Sequence, residues 1–232
     1  MSVHRNLCLF DLDHTLLPFD SDHAFGEFLV KVGWADQTEF RRGNDAFYAQ
    51  YLAGRLDVHA YIDFTTAPWR SRTAAEHLWV QEQYMTEVVR PRIMVEALEL
   101  VREHEARGDL LAIVTATNEF VTRPIAAAFG VDHLLAIELE RDTAGNISGR
   151  IQGVPSYRDG KVTRVVKWLE QLGRQWEEFE RTSFYSDSPN DLPLLERASD
   201  PVATNPSQAL EATAMERGWR ILKLFNDQET HQ

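Results

Sequence analysis

The sequence predicts an α/β fold in which a doubly wound parallel sheet is interrupted by a helical insertion. Six short apolar runs read as strands: "LCLFDL" (7–12), "LLAIVTA" (110–116), "LLAIELE" (134–140), "TSFYSD" (182–187), "PVAT" (201–204) and "RILKLF" (220–225). Segments of helical period separate most of them, and alternating strands and helices imply a parallel sheet covered on both faces. Between the first two runs, residues 18–90 offer no strand and mix aromatic with polar residues, as several inserted helices would.

The first run leads into "FDLDHTLLPFD". Asp11 and Asp13 are two apart, so on an extended chain their carboxylates point the same way and repel. His14, between Asp13 and Thr15, would then point away from both aspartates and serve packing or hydrogen bonding. In the insertion, "FGEFLVKVGW", "DAFYAQYLAGRLDVHAYIDF" and "AAEHLWVQEQYMTEVV" read as helices. Phe47, Tyr48, Tyr51, Tyr61, Phe64 and Trp69 are expected to form the insertion's own core. Ile93, Ala97, Leu98 and Val101 repeat at helical spacing ahead of the second strand, as do Val162, Val165, Val166 and Leu169 later, and more weakly Leu210, Ala214 and Met215. "LERDTAGNISGRIQG" (139–153) has Gly and Asn between two extended runs, the pattern of a hairpin beside the sheet. The tail "NDQETHQ" (226–232) is expected to fray.

With 232 residues the chain can form one large domain, or a core with a smaller insertion. No apolar stretch approaches the roughly 20 residues of a membrane span, and the run after the first Met is too short for a signal peptide, so the expected location is cytoplasmic, away from membranes. The single cysteine, Cys8, lies inside the first apolar run and reads as a buried small residue. A net charge of −12 argues against nucleic acid as a partner and leaves a small molecule or a protein. His59, His77, His104 and His133 are scattered without the spacing of zinc ligands.

In an open parallel sheet, ligands bind beyond the carboxyl ends of the strands. The first strand brings Asp11, Asp13 and Thr15 there. "VTATN" brings Thr115, Thr117 and Asn118, and "YSDSPND" brings Asp187, Asn190 and Asp191. Four carboxylates in one cluster require positive charge, because burial and repulsion would otherwise keep several protonated. A hard divalent cation supplies it, and Mg²⁺ accepts one or two carboxylates together with waters and a substrate phosphate. Lys161, in "YRDGKV" at a helix start, offers a fixed charge to the same place.

These residues carry a resemblance to the haloacid-dehalogenase-like (HAD) phosphohydrolase superfamily, in its phosphoserine-phosphatase-like branch (subfamily IB), near members described as histidinol-phosphatase-like. The Asp-x-Asp-x-Thr motif is "FDLDHTL", the strand-end Thr is Thr115 in "AIVTAT", the lysine is Lys161, and the paired acids are Asp187 and Asp191 in "SDSPND". The four occur in the family's order. The resemblance implies a Rossmann-like core domain (1–17 and 91–232) with a helical cap domain (18–90) that selects the substrate. It implies Asp11 as nucleophile, forming an aspartyl-phosphate, and Asp13 as general acid and base. Mg²⁺ would be held by the Asp11 side chain, the Asp13 main-chain carbonyl and Asp187, with Asp191 and Asn190 supporting them from behind. Thr115, Thr117, Asn118 and Lys161 would bind the phosphoryl group. Asp20 would face a substrate amine, with Asp22 and His23 close by and suited to the same ammonium, and Arg55, Arg70 and Arg72 are candidates to meet a carboxylate. The implied activity is Mg²⁺-dependent hydrolysis of a small phosphomonoester, an amino-acid or amino-alcohol phosphate such as phosphoserine or histidinol phosphate, by a monomer or homodimer. A phosphotransferase using the same intermediate and a non-catalytic phosphate- or metal-binding regulator are the alternatives.

Overall fold

The computed structural model describes residues 4–225, so the tail at 226–232 lies outside the described residues. Six parallel strands form one sheet: β1 (Asn6–Phe10), β2 (Leu110–Asn118), β3 (Leu134–Ile137), β6 (Arg181–Ser186), β7 (Asp200–Thr204) and β8 (Arg220–Leu222). Their order is β3-β2-β1-β6-β7-β8, so the chain winds outward to one side of β1, returns, and winds outward to the other. The direction reverses between β1 and β6, which is where such sheets open a crevice for ligands.

Alternation along β1 shows how the layers form. Cys8 and Phe10 enter one apolar cluster, with Ala97 and Val101 of α5 (Val95–Ala106) and Val121 and Ile125 of α6 (Glu119–Ala128). Leu7 and Leu9 enter the other, with Val165 and Leu169 of α7 (Asp159–Gln171), Leu194 of α8 (Leu192–Arg197) and Leu210 of α9 (Gln208–Arg217). Period-two side chains on a fully covered strand require apolar residues at every position, which is what "LCLF" supplies.

The segment between β1 and α5 holds four helices: α1 (Ser21–Lys31), α2 (Gln37–Leu52), α3 (Val58–Thr66) and α4 (Ala74–Tyr84). Each begins on a side-chain cap, namely Asp20, Asp36, Asp57 and the reciprocal Thr73–Glu76 box, which satisfies otherwise orphaned N–H groups. Phe25, Phe28 and Leu29 of α1 and Val80 and Tyr84 of α4 are buried in the same cluster as Cys8 and Phe10, so both ends of the segment are anchored in the main core. α3 joins the same cluster through Val58 and Ile62 and packs against β5 (Ile147–Ile151), while α2 packs on α1.

Several expected boundaries shift for local reasons. The run 134–140 divides: β3 stays in the sheet to Ile137, while β4 (Leu139–Arg141) turns away to pair antiparallel with β5 as the expected hairpin. The run 220–225 shortens to β8 because the N–H groups of Leu224 and Phe225 donate to Asn205 Oδ1 (2.6 and 3.1 Å) instead of to a strand. The first strand stops at Phe10. Beyond it the Leu12 carbonyl accepts from the N–H groups of Thr15, Leu16 and Leu17, and His14 takes a left-handed φ of 56°. His14 is therefore in a turn rather than on a strand, where its Nε2 lies 3.4 Å from the Tyr48 hydroxyl.

Candidate functional site

Asp11 directly follows β1, and its N–H still donates to the Tyr185 carbonyl of β6 (2.9 Å), which fixes it at the sheet crevice. Its Oδ1 accepts a hydrogen bond from Lys161 Nζ at 2.9 Å, and the same ammonium donates to Asp191 Oδ2 at 2.7 Å. Ser186 Oγ completes this arrangement by donating to Asp191 Oδ2 at 2.7 Å. Lys161 is 1% exposed, so its charge has no solvent and depends on these carboxylates. Burial works against the ammonium, but Asp11 and Asp191 outweigh it and raise its pKa.

Lys161 reaches the crevice because of what precedes it. Arg158 takes a left-handed φ of 51° just before α7, and a Cβ on Gly160 would lie 2.0 Å from the Pro155 carbonyl oxygen. Only glycine lets the helix start pack this closely on the Pro155 backbone.

Asp13 is held by two donors: the Ser21 N–H to Oδ1 (2.7 Å) and the Thr117 hydroxyl to Oδ2 (2.8 Å). Burial, reinforced by the Asp20 charge, pushes its pKa up to about 7 against those donors. Asp11 is pushed up to about 7 by burial, with Lys161 opposing and Asp191 and Asp13 adding repulsion. Asp187, just beyond β6, is raised by burial and by the charges of Asp11 and Asp191, and it accepts from the Thr15 hydroxyl at 3.4 Å. Among the described residues no three His, Cys, Asp or Glu side chains form a ready metal cluster. Asp11 and Asp187, whose charges repel each other, supply two carboxylates. Two carboxylates with water and substrate are the donor set Mg²⁺ favours, so the residues fit such an ion.

Asp11, Asp13, Asp20, Thr115 and Thr117 all line one narrow cleft. The Thr115 Oγ1 accepts from the Thr117 N–H (3.1 Å), leaving its own proton to donate. Four of the expected contacts are redirected. Thr117 spends its hydroxyl on Asp13 rather than on a ligand. Asn118 caps α6, with its Oδ1 accepting from Phe120 and Val121 N–H, and its Nδ2 donates to Asp22 Oδ1 at 3.3 Å. Asp20, expected to meet an amine, commits Oδ1 to capping α1 through the Asp22 and His23 N–H groups. Asn190 faces α2 instead of the carboxylates: its Nδ2 donates to the Tyr51 carbonyl at 3.0 Å.

The aromatic residues are also corrected. Phe64 does pack within the insertion, its ring centroid 4.7 Å from that of Phe40, and Trp69 stacks on Phe120 of α6 at 4.0 Å. Phe47 packs within the insertion too, its ring 5.2 Å from that of Phe64 and 5.4 Å from that of Tyr61, but Phe47, Tyr48, Tyr51 and Tyr61 also line the cleft, as does Asp22. Asp22, expected only as a neighbour of Asp20 suited to an ammonium, is thus on the cleft itself, and the tyrosines expected in the insertion's core face it too. The spacing of Phe47, Tyr48 and Tyr51 puts them on one face of α2, but a stripe facing a cleft and one facing a core read alike. No arginine lines the cleft among the described residues. Arg55 is exposed, Arg70 pairs with Asp63, and Arg72 pairs with Glu76 at 2.9 Å.

Comparison with known proteins agrees with this geometry. The family model for haloacid dehalogenase-like hydrolases matches residues 8–196. A histidinol-phosphatase of Neisseria meningitidis serogroup C (strain 8013) is 39% identical over 94% of this chain and 98% of its own. The crystal structure of a Bordetella pertussis Tohama I protein of unknown function is 46% identical and superposes with a TM-score of 0.90, over 96% of this chain and all of that one. A substrate-bound phosphoserine phosphatase, 15% identical, shares the fold with a TM-score of 0.66, covering 96% of this chain and 94% of its own. No helix among the described residues is long and apolar enough to cross a membrane. With its carboxylates and lysine meeting at the sheet crevice and its sequence matched across nearly its full length, the chain belongs to the haloacid dehalogenase-like hydrolase family and is a phosphatase of that family.

Proposed function

We propose that the chain is a Mg²⁺-dependent phosphomonoesterase acting on a small phosphorylated metabolite bearing an amine, such as histidinol phosphate or phosphoserine, with residues 18–90 as the cap over the site. The observation that carries this reading is Asp13. It faces the same cleft as Asp11, is fixed by Ser21 and Thr117, and has a pKa near 7, suited to giving a proton and later taking one back.

In this reading the Asp11 carboxylate attacks phosphorus while the ester P–O bond breaks, and Asp13 protonates the departing alkoxide. Asp13 then takes a proton from water as the water attacks the aspartyl-phosphate, and the bond between Asp11 and phosphorus breaks to release phosphate. Thr115 donates to the phosphoryl oxygens, and Lys161 steadies Asp11 as its charge changes. Mg²⁺, held by Asp11, Asp187 and the Asp13 carbonyl, would offset phosphoryl charge. Asp191 and Ser186 hold Lys161 in place behind it.

Phosphate release from a panel of phosphomonoesters, with and without Mg²⁺ and with candidate acceptor alcohols present, tests the reading. Mg²⁺-dependent release that matches alcohol formation supports it. Transfer to an added alcohol in place of release points to a phosphotransferase, and metal binding without turnover of any ester refutes catalysis.

The metal should also show itself in stability. Carboxylates whose folded pKa is about 7 against an ordinary 3.8 stay protonated in the folded chain after the unfolded chain has ionised. Their contribution is intact below about pH 4 and is lost as pH rises through about 7. Mg²⁺ binds the ionised form and must displace protons at low pH. The rise in Tm on adding Mg²⁺ is therefore expected to be larger at pH 8 than at pH 5, and an equal rise at both would count against a metal held by these carboxylates.

A further inference from the structure

The carboxylate that sequence reasoning assigns to a substrate amine is Asp20, yet Asp20 is occupied in capping α1. Two residues on, in the first turn of that helix, Asp22 is 4% exposed and lines the cleft. Its Oδ1 takes a hydrogen bond from Asn118, and its Oδ2 makes none. A buried carboxylate oxygen without a donor is costly, and a cationic group entering the cleft would supply one.

The surroundings say what kind of cation fits. Phe47, Tyr48, Tyr51 and Tyr61 provide aromatic walls, and such faces attract organic cations and flat rings. Tyr61 stands beside Asp22, where its hydroxyl favours the ionised carboxylate. Every charged residue on the lining is acidic: Asp11, Asp13, Asp20 and Asp22. A carboxylate on the substrate would meet repulsion there, with no guanidinium on the lining to pair with it.

We propose that Asp22, with Tyr61 and the walls of Phe47, Tyr48 and Tyr51, forms a leaving-group pocket that selects phosphate esters of alcohols bearing an ammonium and a flat ring and rejects those bearing a carboxylate. The proposal rests on the phosphomonoesterase reading for its substrate and narrows it. Burial and the charge of Asp20 push the pKa of Asp22 up to about 8, the condition of a carboxylate short of a positive partner. An entering ammonium relieves that shortage, whereas a zwitterionic amino acid brings a second negative charge with it.

The test has a binding arm that needs no turnover and a kinetic arm that does. In calorimetric titration of the Mg²⁺-loaded protein, histidinol should bind more tightly than ethanolamine, and both more tightly than serine or glycerol. Asp22→Asn should weaken histidinol by about 10- to 100-fold while hardly changing glycerol. In the kinetic arm, the ratio of kcat/KM for histidinol phosphate over phosphoserine should favour the former in the wild type and collapse in Asp22→Asn, mainly through KM. Thermal melts establish that the variant is folded, and Tyr61→Phe, which removes one hydroxyl, should shift the same ratio in the same direction. Serine binding as well as histidinol, or a selectivity unchanged in Asp22→Asn, overturns the proposal even if phosphate is released. Asp22-dependent histidinol binding with no turnover of any ester sustains the pocket and refutes only the phosphatase reading.

Discussion

Asp11→Asn is expected to reduce phosphate release by about a million-fold, to the background of the assay, while leaving the protein folded. The magnitude follows from removing a nucleophile whose partners cannot act without it. Because uncatalysed monoester hydrolysis is so slow, accelerations can approach ~10²¹, and no residual route through the other residues should be visible. The same substitution should not lower Tm at pH 8 in the absence of metal. There the Asp11 carboxylate is ionised in a buried place beside Asp13, Asp187 and Asp191; an amide of the same shape relieves that repulsion, keeps an oxygen to accept from Lys161, and leaves the ammonium its 2.7 Å pair with Asp191. Loss of turnover with Tm equal to or above wild type is the expected pair of results. Activity within a hundredfold of wild type would remove Asp11 from the nucleophile role.

Lys161→Ala should have the opposite balance, costing stability as well as activity. It leaves Asp11 and Asp191 buried and facing each other with no ammonium between them. Removing one partner of a buried ion pair typically costs about 3–5 kcal/mol, which for a chain of this size corresponds to a Tm lower by roughly 6–20 °C. The deficit should be greatest above about pH 7, where Asp11 ionises, and smaller at pH 5. A melt at pH 8 within about 2 °C of wild type would show that Lys161 is not what neutralises the pair.

The parts of the fold that were legible in the sequence are those where one physical pattern dominates. "LCLF" must be a covered strand because all its side chains are apolar, and Val162, Val165, Val166 and Leu169 must line one helix face. Asp11, Asp13, Asp187 and Lys161 could be brought together from the sequence because chemistry at a parallel sheet gathers at its strand ends. What could not be read depends on two-sided choices. Asn118 and Asp20 have side chains able either to cap a helix or to touch a ligand, and the local backbone decides for the cap. Tyr51 and Tyr61 belong to helices whose apolar stripe faces a cleft across from the sheet, and nothing in one chain's periodicity distinguishes that from a core. His14 was misplaced because the turn at Leu12 ends the strand earlier than its composition suggests.

The turn between α2 and α3 has two attachments to the segments that carry the charged residues. Asn190 lies between Asp187 and Asp191 and holds the Tyr51 carbonyl, while Arg158, three residues before Lys161, donates from Nη1 to the Gly54 carbonyl at 3.0 Å. The turn between α2 and α3 is thereby tied to the same two backbone segments that carry the acids and the lysine. A substitution that frees the turn, such as Arg158→Ala, is therefore expected to disturb the placement of the acids and the lysine from a distance, and with it the rate of turnover.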